Sequence, residues 1–341
     1  MPALEGVLYV GTAGGLEAGI VPREGIDFRM VRAAGLRGLS PGRVLANAWA
    51  LLHGTAQAWS IVRIFRPDVV LATGGYASAP VVVAAWLRRC PVLIYLPDIE
   101  PGLAVRLLSR LACRVAVSFE TSLAYFPPGK AVVSGYPVRT GLYGGDKVAA
   151  RQRLGLATDA KTVLVLGGSR GSHSINLAVS AALEELLQEM DLIHIAGDAD
   201  MGWLRERREE LPKELELRYH LYAYLHEEML DALQAADLAV ARAGAATMGE
   251  FAAAGLPSVL VPYPYAGQHQ EANADFMVSR GAALKVLDAE LAGGALGIVV
   301  KSLLADGETR HSMAENARKL AKPHAARAIA QQLAQLGGGT R

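Results

Sequence analysis

Three short stretches of this 341-residue chain carry the residue types best suited to chemistry. The first runs from Thr162 to Asn176, T-V-L-V-L-G-G-S-R-G-S-H-S-I-N. Its β-branched apolar run to Leu166 reads as a buried parallel strand, and Gly167, Gly168 and Gly171 let the backbone turn tightly. Ser172 or Ser174 can then cap a helix that continues through Ile175, Val179 and Leu183. A strand, a glycine turn and a helix start together aim free N–H groups and partial positive charge at one point. That arrangement suits a phosphate or pyrophosphate. A plain βα turn that binds nothing has the same form, and the stretch is neither a Walker loop nor a G-x-G-x-x-G fingerprint.

The second stretch, R-A-G-A-A-T-M-G-E-F-A-A-A-G-L-P, spans Arg242 to Pro257. Gly244 turns the chain into a helix, which Gly255 and Pro257 stop. Glu250 stands among Ala, Met and Phe, where a carboxylate is costly unless partnered. A sugar diol is a good partner, because adjacent hydroxyls donate to both carboxylate oxygens. Thr247 lies three residues earlier on the same face. A solvated helix charge is the plainer alternative. The third stretch, Gly267 to Asn273, is G-Q-H-Q-E-A-N. Its amides and imidazole both donate and accept, which suits sugar hydroxyls and equally an ordinary polar helix start.

These stretches need a scaffold, and the chain supplies one. It is 52% hydrophobic and 20% charged, a globular composition long enough for two cores. A net charge of +1 gives no global argument for nucleic acid. The two cysteines, Cys90 and Cys113, sit in apolar segments and read as reduced core thiols. No signal peptide is visible after Met1, and no charge-free apolar run is long enough to span a bilayer. Strands are expected at 6–10, 26–31, 68–73, 91–96, 114–119 and 131–134, then at 162–167, 191–196, 237–241 and 258–262. Helices between them imply an α/β protein with parallel sheets. A long helix from Gly42 to Phe65 carries Trp49 and Trp59 with only arginines as charge. Such a helix is either buried on two sides or interfacial. A glycine-rich linker near residue 140 divides the chain. The expected domains are 1–139, 140–312, and a helical segment 313–335 packing back toward the first domain. Two such halves place a ligand cleft between them, at the carboxyl ends of the strands.

The motifs G-G-S-R-G-S at 167–172, R-A-G-A-A-T-M-G-E at 242–250, A-A-A-G-L-P at 252–257 and H-Q-E-A-N-A at 269–274 resemble the donor half of the MurG family. The first half agrees through G-T-A-G-G-L-E-A-G-I-V-P at 11–22, G-L-R-G at 35–38, P-D-V-V-L-A-T-G-G-Y-A-S-A-P at 67–80 and G-Y-P-V-R at 135–139. The resemblance covers nearly the whole chain. It implies a GT-B fold of two Rossmann-like domains and inverting transfer of N-acetylglucosamine from UDP-GlcNAc. The implied acceptor is undecaprenyl-pyrophosphoryl-MurNAc-pentapeptide, at the anionic cytoplasmic face of the cell membrane, with peripheral attachment. No metal or cofactor is implied. Ser169 and the backbone at Gly168 would meet the diphosphate, and Arg139 would neutralise the departing phosphate. Gly244, Ala245, Ala246 and Thr247 would contact phosphate and sugar, and Glu250 would hold the ribose. His269, Gln270 and Asn273 would read the N-acetylglucosamine hydroxyls, and the backbone at His226 would hold uracil.

Two departures from the family stand out. The family opens with a strand, a G-G-T-G-G-H loop and a helix, and this chain starts at the equivalent of the second strand. Its first domain is therefore expected to be incomplete. At 95–98 the family has His-Glu-Gln-Asn, and this chain has Tyr95-Leu96-Pro97-Asp98. The general-base glutamate is thus a leucine, with Asp98 and Glu100 as nearby substitutes. Beside the active transferase stand two alternatives: a diverged or truncated relative that binds UDP-sugar with little turnover, and a transferase acting on another lipid acceptor.

Overall fold

A computed structural model describes residues 6–15, 17–33, 41–168, 170–265 and 269–338. The G-L-R-G motif at 35–38, Ser169, and Gly267 with Gln268 lie outside the described residues. The chain divides into two compact units, residues 1–135 with 324–341, and residues 136–323.

Unit 1 holds two parallel sheets. One pairs β1 (Leu8–Gly11) with β2 (Asp27–Met30). The other runs in chain order through β3 (Val70–Ala72), β4 (Val92–Leu96), β5 (Arg114–Val117) and β6 (Ala131–Val133). Every residue of β4 is buried, as a parallel strand covered on both faces requires. Its core packs Ile94 and Leu96 against Val82, Ala85, Val115 and Val117. Three of its helices are α1 (Pro41–Phe65), α2 (Ser78–Leu87) and α3 (Leu103–Leu108). On α1, Ala58 and Val62 are buried on one face. Trp49, Leu52 and Trp59 form an exposed stripe that runs from the flank of that face to its far side, Trp49 being 72% accessible. Helical spacing puts Arg63 on that exposed stripe too. The helix is therefore packed on one side, not two.

The C-terminal helix, Ala325–Gly338, belongs to unit 1. It packs on β4, and Arg114 donates from Nη1 to the side-chain carbonyls of Gln332 and Gln335. Among the described residues no helix is long and apolar enough to cross a membrane.

Unit 2 is built on one six-stranded parallel sheet. Its strands are β7 (Thr162–Leu166), β8 (Asp191–Ile195), β9 (Tyr219–Tyr222), β10 (Leu238–Ala241), β11 (Ser258–Leu260) and β12 (Ala283–Lys285), in the spatial order β12-β11-β10-β7-β8-β9. The two edge strands, β9 and β12, are additions to the sequence reading. Both are too short to show a period. Six helices matter here: α4 (His173–Ala181), α5 (Met201–Glu209), α6 (Met229–Ala235), α7 (Ala245–Ala254), α8 (His269–Ser279) and α9 (Gly307–Leu320).

The unit boundaries differ from the expected 139/140 and 312/313, for packing reasons. Tyr136 lies against Gly249 of α7, where an added Cβ would come within 2.3 Å of the tyrosine ring, so the chain joins unit 2 at Tyr136. Met313 and Ala317 are buried within α9, and Arg318 packs on Gly255 of the same unit. The helix must stop before Pro323, and only the chain beyond it joins unit 1.

Candidate functional site

The sheet order of unit 2 reverses between β7 and β10. To one side of that point the strands run on as β8 and β9, and to the other as β11 and β12. Open parallel sheets bind ligands outside the carboxyl ends of their strands at such a switch point. Leu166 pairs with Ala241 at the ends of β7 and β10. The turn after Leu166 and the turn after Ala241 therefore emerge side by side. These are the first two stretches singled out in the sequence, brought together from about 75 residues apart by strand register.

Each turn feeds a helix start. Ser172 stands at the N-cap of α4 and Gly244 at the N-cap of α7, with neither supplying a side-chain cap bond. Their first N–H groups are thus available to an anion. Gly171 sits at φ +75°, and a Cβ there would lie 2.0 Å from the Ala196 carbonyl oxygen, so only glycine lets this turn rest on the end of β8. Gly168 is exposed at the crest of the same turn. Gly244 and Ala245 are half-buried, Ala246 is exposed and Thr247 is buried.

Arg242 is the anchor beneath the second turn. It pairs with Asp288, donates to Ser174 Oγ at 2.7 Å and to the carbonyls of Val261 and Pro262 at 3.2 Å, and lies 5.3 Å from the Tyr263 ring centroid. Removing one partner of such a buried pair strands the other charge, a cost of about 3–5 kcal/mol. Ser174, one of the two capping candidates, donates instead to Asp288 at 2.8 Å. Ser172 Oγ and His269 Nδ1 are buried with no hydrogen-bond partner among the described residues.

Glu250 is half-buried on α7, two turns in from the Gly244 cap. Burial pushes its carboxyl above the ordinary value, and the charge of Arg139 pulls the other way. Arg139 is brought near by the Tyr136–Gly249 contact three residues earlier. Its Nη1 donates to the His226 carbonyl at 3.0 Å. The His226 amide in turn donates to Glu228 Oε2 at 3.3 Å. Arg139, His226 and Glu250 thus form one neighbourhood on unit 2.

The third stretch behaves differently. Gln270 Oε1 accepts from the Tyr263 amide at 3.0 Å, tying α8 to the strand-end loop. Asn273 is fully buried and donates to the Ala243 carbonyl at 2.9 Å. It acts on the 242–246 turn from behind. The base candidates lie on unit 1, in the loop after β4. Leu96 is buried at the strand end, and Asp98 and Glu100 are half-buried. Glu100 Oε1 accepts from the Tyr125 hydroxyl at 2.9 Å, and the Arg106 guanidinium lies 5.7 Å from the Tyr125 ring. Burial and the Glu100 hydrogen bond push the Tyr125 hydroxyl up.

Sequence reasoning missed a polar cluster behind the first turn. His194 is fully buried in β8, and Asn176 is fully buried in α4. Burial pushes His194 down to about 3, opposed by the Asp200 charge. The unfolded chain protonates this imidazole near pH 6.5, and the folded chain does not until about 3. Stability from this group is therefore complete above about pH 6.5 and lost as the pH falls toward 3, at up to about 1.4 kcal/mol per pH unit. His220, also pushed down by burial, adds to the same slope. Thermal melts should show the midpoint falling steadily from pH 6.5 to 4.5, with a shallower fall in His194→Gln. Parallel slopes in the two proteins would clear His194 of the effect.

Two parallel-sheet units, the second with a switch-point crevice of this kind, are the architecture of GT-B glycosyltransferases. The family models for the glycosyltransferase family 28 N-terminal and C-terminal domains match residues 3–117 and 162–333. The UDP-N-acetylglucosamine--N-acetylmuramyl-(pentapeptide) pyrophosphoryl-undecaprenol N-acetylglucosamine transferase of Roseiflexus sp. is 44% identical, over 95% of this chain and 82% of that relative. The protein of the same description from Moorella thermoacetica is 41% identical, over 97% of this chain and 90% of that one. The crystal structure of Acinetobacter baumannii MurG superimposes with a TM-score of 0.73 at 26% identity, over 97% of this chain and 91% of the other. The chain belongs to the MurG family of glycosyltransferases.

Proposed function

We propose that this protein transfers N-acetylglucosamine from UDP-GlcNAc to a lipid-linked MurNAc-pentapeptide, with inversion at the anomeric carbon. The observation that carries the reading is the pairing of two uncapped helix starts with Glu250 at the β7/β10 switch point, in a chain of this family. The acceptor hydroxyl loses its proton to Asp98 or Glu100 and attacks the anomeric carbon, and UDP departs. The starts of α4 and α7 stabilise the leaving diphosphate through oriented N–H groups. Ser169 and the Gly168 backbone meet the diphosphate, and Gly244, Ala245, Ala246 and Thr247 supply backbone and hydroxyl contacts to phosphate and sugar. Arg139 adds positive charge by exchanging the His226 carbonyl for phosphate, which frees that carbonyl for uracil. Glu250 accepts from the ribose hydroxyls. His269 and Gln270 read the sugar, and Asn273 holds the 242–246 turn in place.

The direct test is transfer of labelled N-acetylglucosamine from UDP-GlcNAc to a short-chain lipid-linked muramyl acceptor. Product formation is expected. Tight UDP binding without transfer would favour the second reading, a donor-binding relative with little turnover, for which Leu96 in place of a carboxylate speaks.

The protein attaches peripherally to the cytoplasmic face of an anionic membrane. The support is the exposed Trp49, Leu52 and Trp59 stripe of α1 and the charge distribution. In unit 1 Lys and Arg outnumber Asp and Glu by 15 to 8, and in unit 2 the acids lead by 25 to 19. Aromatic insertion plus attraction to anionic lipid gives reversible, salt-sensitive binding. Flotation with anionic vesicles at low salt should carry the protein upward, and Trp49→Ser with Leu52→Ser should leave more of it in the soluble fraction. Equal flotation of the two would remove this face from the membrane role.

A further inference from the structure

The buried cluster behind the first turn has a definite proton order. His194 Nε2 lies 3.0 Å from Asn176 Oδ1, an atom that only accepts, so Nε2 carries the proton. The neutral ring then accepts at Nδ1 from the Tyr219 hydroxyl, 2.8 Å away. Asn176 Nδ2 donates to the Ala196 carbonyl at 2.9 Å and to Asp200 Oδ2 at 2.7 Å. Asp200 Oδ1 takes further bonds from His173 Nδ1 at 2.8 Å and Trp203 Nε1 at 2.9 Å. From Tyr219 through His194 to Asn176 the donors run in one direction, toward the Asp200 carboxylate at the start of α5, and each bond polarises the next. The three central side chains, His194, Asn176 and Tyr219, are all at most 1% accessible.

The side chains of the cluster reach the glycine turn through one carbonyl. The Ala196 carbonyl that Asn176 holds is the one on which Gly171 rests, 2.0 Å from where a Cβ would be. The next residue, Gly197, packs on Arg170 of the same turn. We propose that Tyr219, His194 and Asn176 are positioning residues for the donor diphosphate, fixing the Ala196–Gly197 ledge on which the 167–172 turn sits. The inference rests on the reading that this turn holds the diphosphate. A shift of the ledge moves the N–H groups of the turn away from the phosphates, and such displacement of a binding geometry is felt in donor affinity.

Two near-isosteric variants separate this role from bulk stability. Gln reproduces the Nε2–H of imidazole and Asn reproduces the Nδ1 side. His194→Gln therefore keeps the bond to Asn176, and His194→Asn loses it. Both remove the ring from the same buried site. We expect His194→Asn to raise the KM for UDP-GlcNAc and the Kd for UDP about tenfold, with the acceptor KM unchanged. His194→Gln should stay within about twofold of the parent in all three, whatever its melting temperature. Equal donor constants in the two variants, raised or not, would overturn the proposal. Gly171→Ala, which drives a methyl into the Ala196 carbonyl, separates the two readings. If it leaves UDP affinity intact, the turn does not hold the diphosphate and the proposal falls with that reading. If it abolishes UDP binding while the His194 pair behave alike, only the positioning role is lost. Should a histidine variant fail to fold, Asp200→Asn at the rim carries the test. A raised donor KM at constant acceptor KM supports the role, and an unchanged donor KM removes it.

Discussion

The double variant Asp98→Asn with Glu100→Gln is expected to lower kcat by about 10²–10⁴-fold, the usual worth of general-base assistance, with UDP affinity unchanged. β4 ends in Leu96, only 2% accessible and packed among the apolar side chains of unit 1, so it has neither the chemistry nor the exposure of a base. The loop that leaves it supplies two carboxylates within four residues. The Tyr125 hydroxyl orients one oxygen of Glu100 and leaves the other to accept a proton. The single variants then divide the effect between the two acids. Tyr125→Phe should follow Glu100→Gln in direction and fall short of it in size, because it removes orientation and not the carboxylate. UDP affinity is the control, since both acids belong to unit 1 and the switch-point crevice to unit 2. Wild-type turnover in the double variant would leave the chain without a base in this loop.

Glu250→Ala is expected to weaken UDP binding at least tenfold, a loss of about 1.4 kcal/mol or more. The carboxylate is half-buried on a helix otherwise made of Ala, Gly, Met, Phe and Thr, a placement that costs free energy in the unliganded protein. Two ribose hydroxyls donating to it would recover that cost and add a charge-assisted pair of hydrogen bonds. Glu250→Gln keeps the shape and one acceptor, and should lose less. Calorimetry giving equal UDP affinities for the parent and Glu250→Ala would take Glu250 out of the ribose role.

The features legible in the sequence were those written in contiguous residues. The turn at 167–172, the Gly244 helix start and the central strands of the two larger sheets each announce themselves within a dozen residues. β9, Tyr-His-Leu-Tyr, and β12, Ala-Leu-Lys, did not, because three or four residues at a sheet edge carry no period. The Tyr219–His194–Asn176–Asp200 cluster was hidden for another reason. Its hydrogen-bonded partners are 18 to 25 residues apart, and only the β7-β8-β9 register gathers them. Its trace was present all the same. A histidine inside the strand Leu-Ile-His-Ile, and an asparagine inside an apolar helix face, are polar groups that must find partners once buried. Asn273 teaches the same lesson in reverse. The motif H-Q-E-A-N-A reads as one ligand-facing set, yet helical geometry turns Asn273 inward to the Ala243 carbonyl.

The discontinuity of unit 1 has a consequence for biosynthesis. A nascent chain emerges from the ribosome in order, so residues 6–135 are exposed long before the helix at 325–338 exists. Until then β4 lacks that cover, and Arg114 lacks Gln332 and Gln335. Unit 2, continuous from 136 to 323, has all its parts in hand first. The earlier-made unit is thus the last to mature, and waits through the making of its neighbour with apolar surface uncovered, a stage at which a chaperone has most to protect. A stop codon shortly after Pro323 would accordingly injure the far end of the polypeptide: unit 1, with its tryptophan stripe, would be the casualty, and the switch-point crevice of unit 2 the survivor.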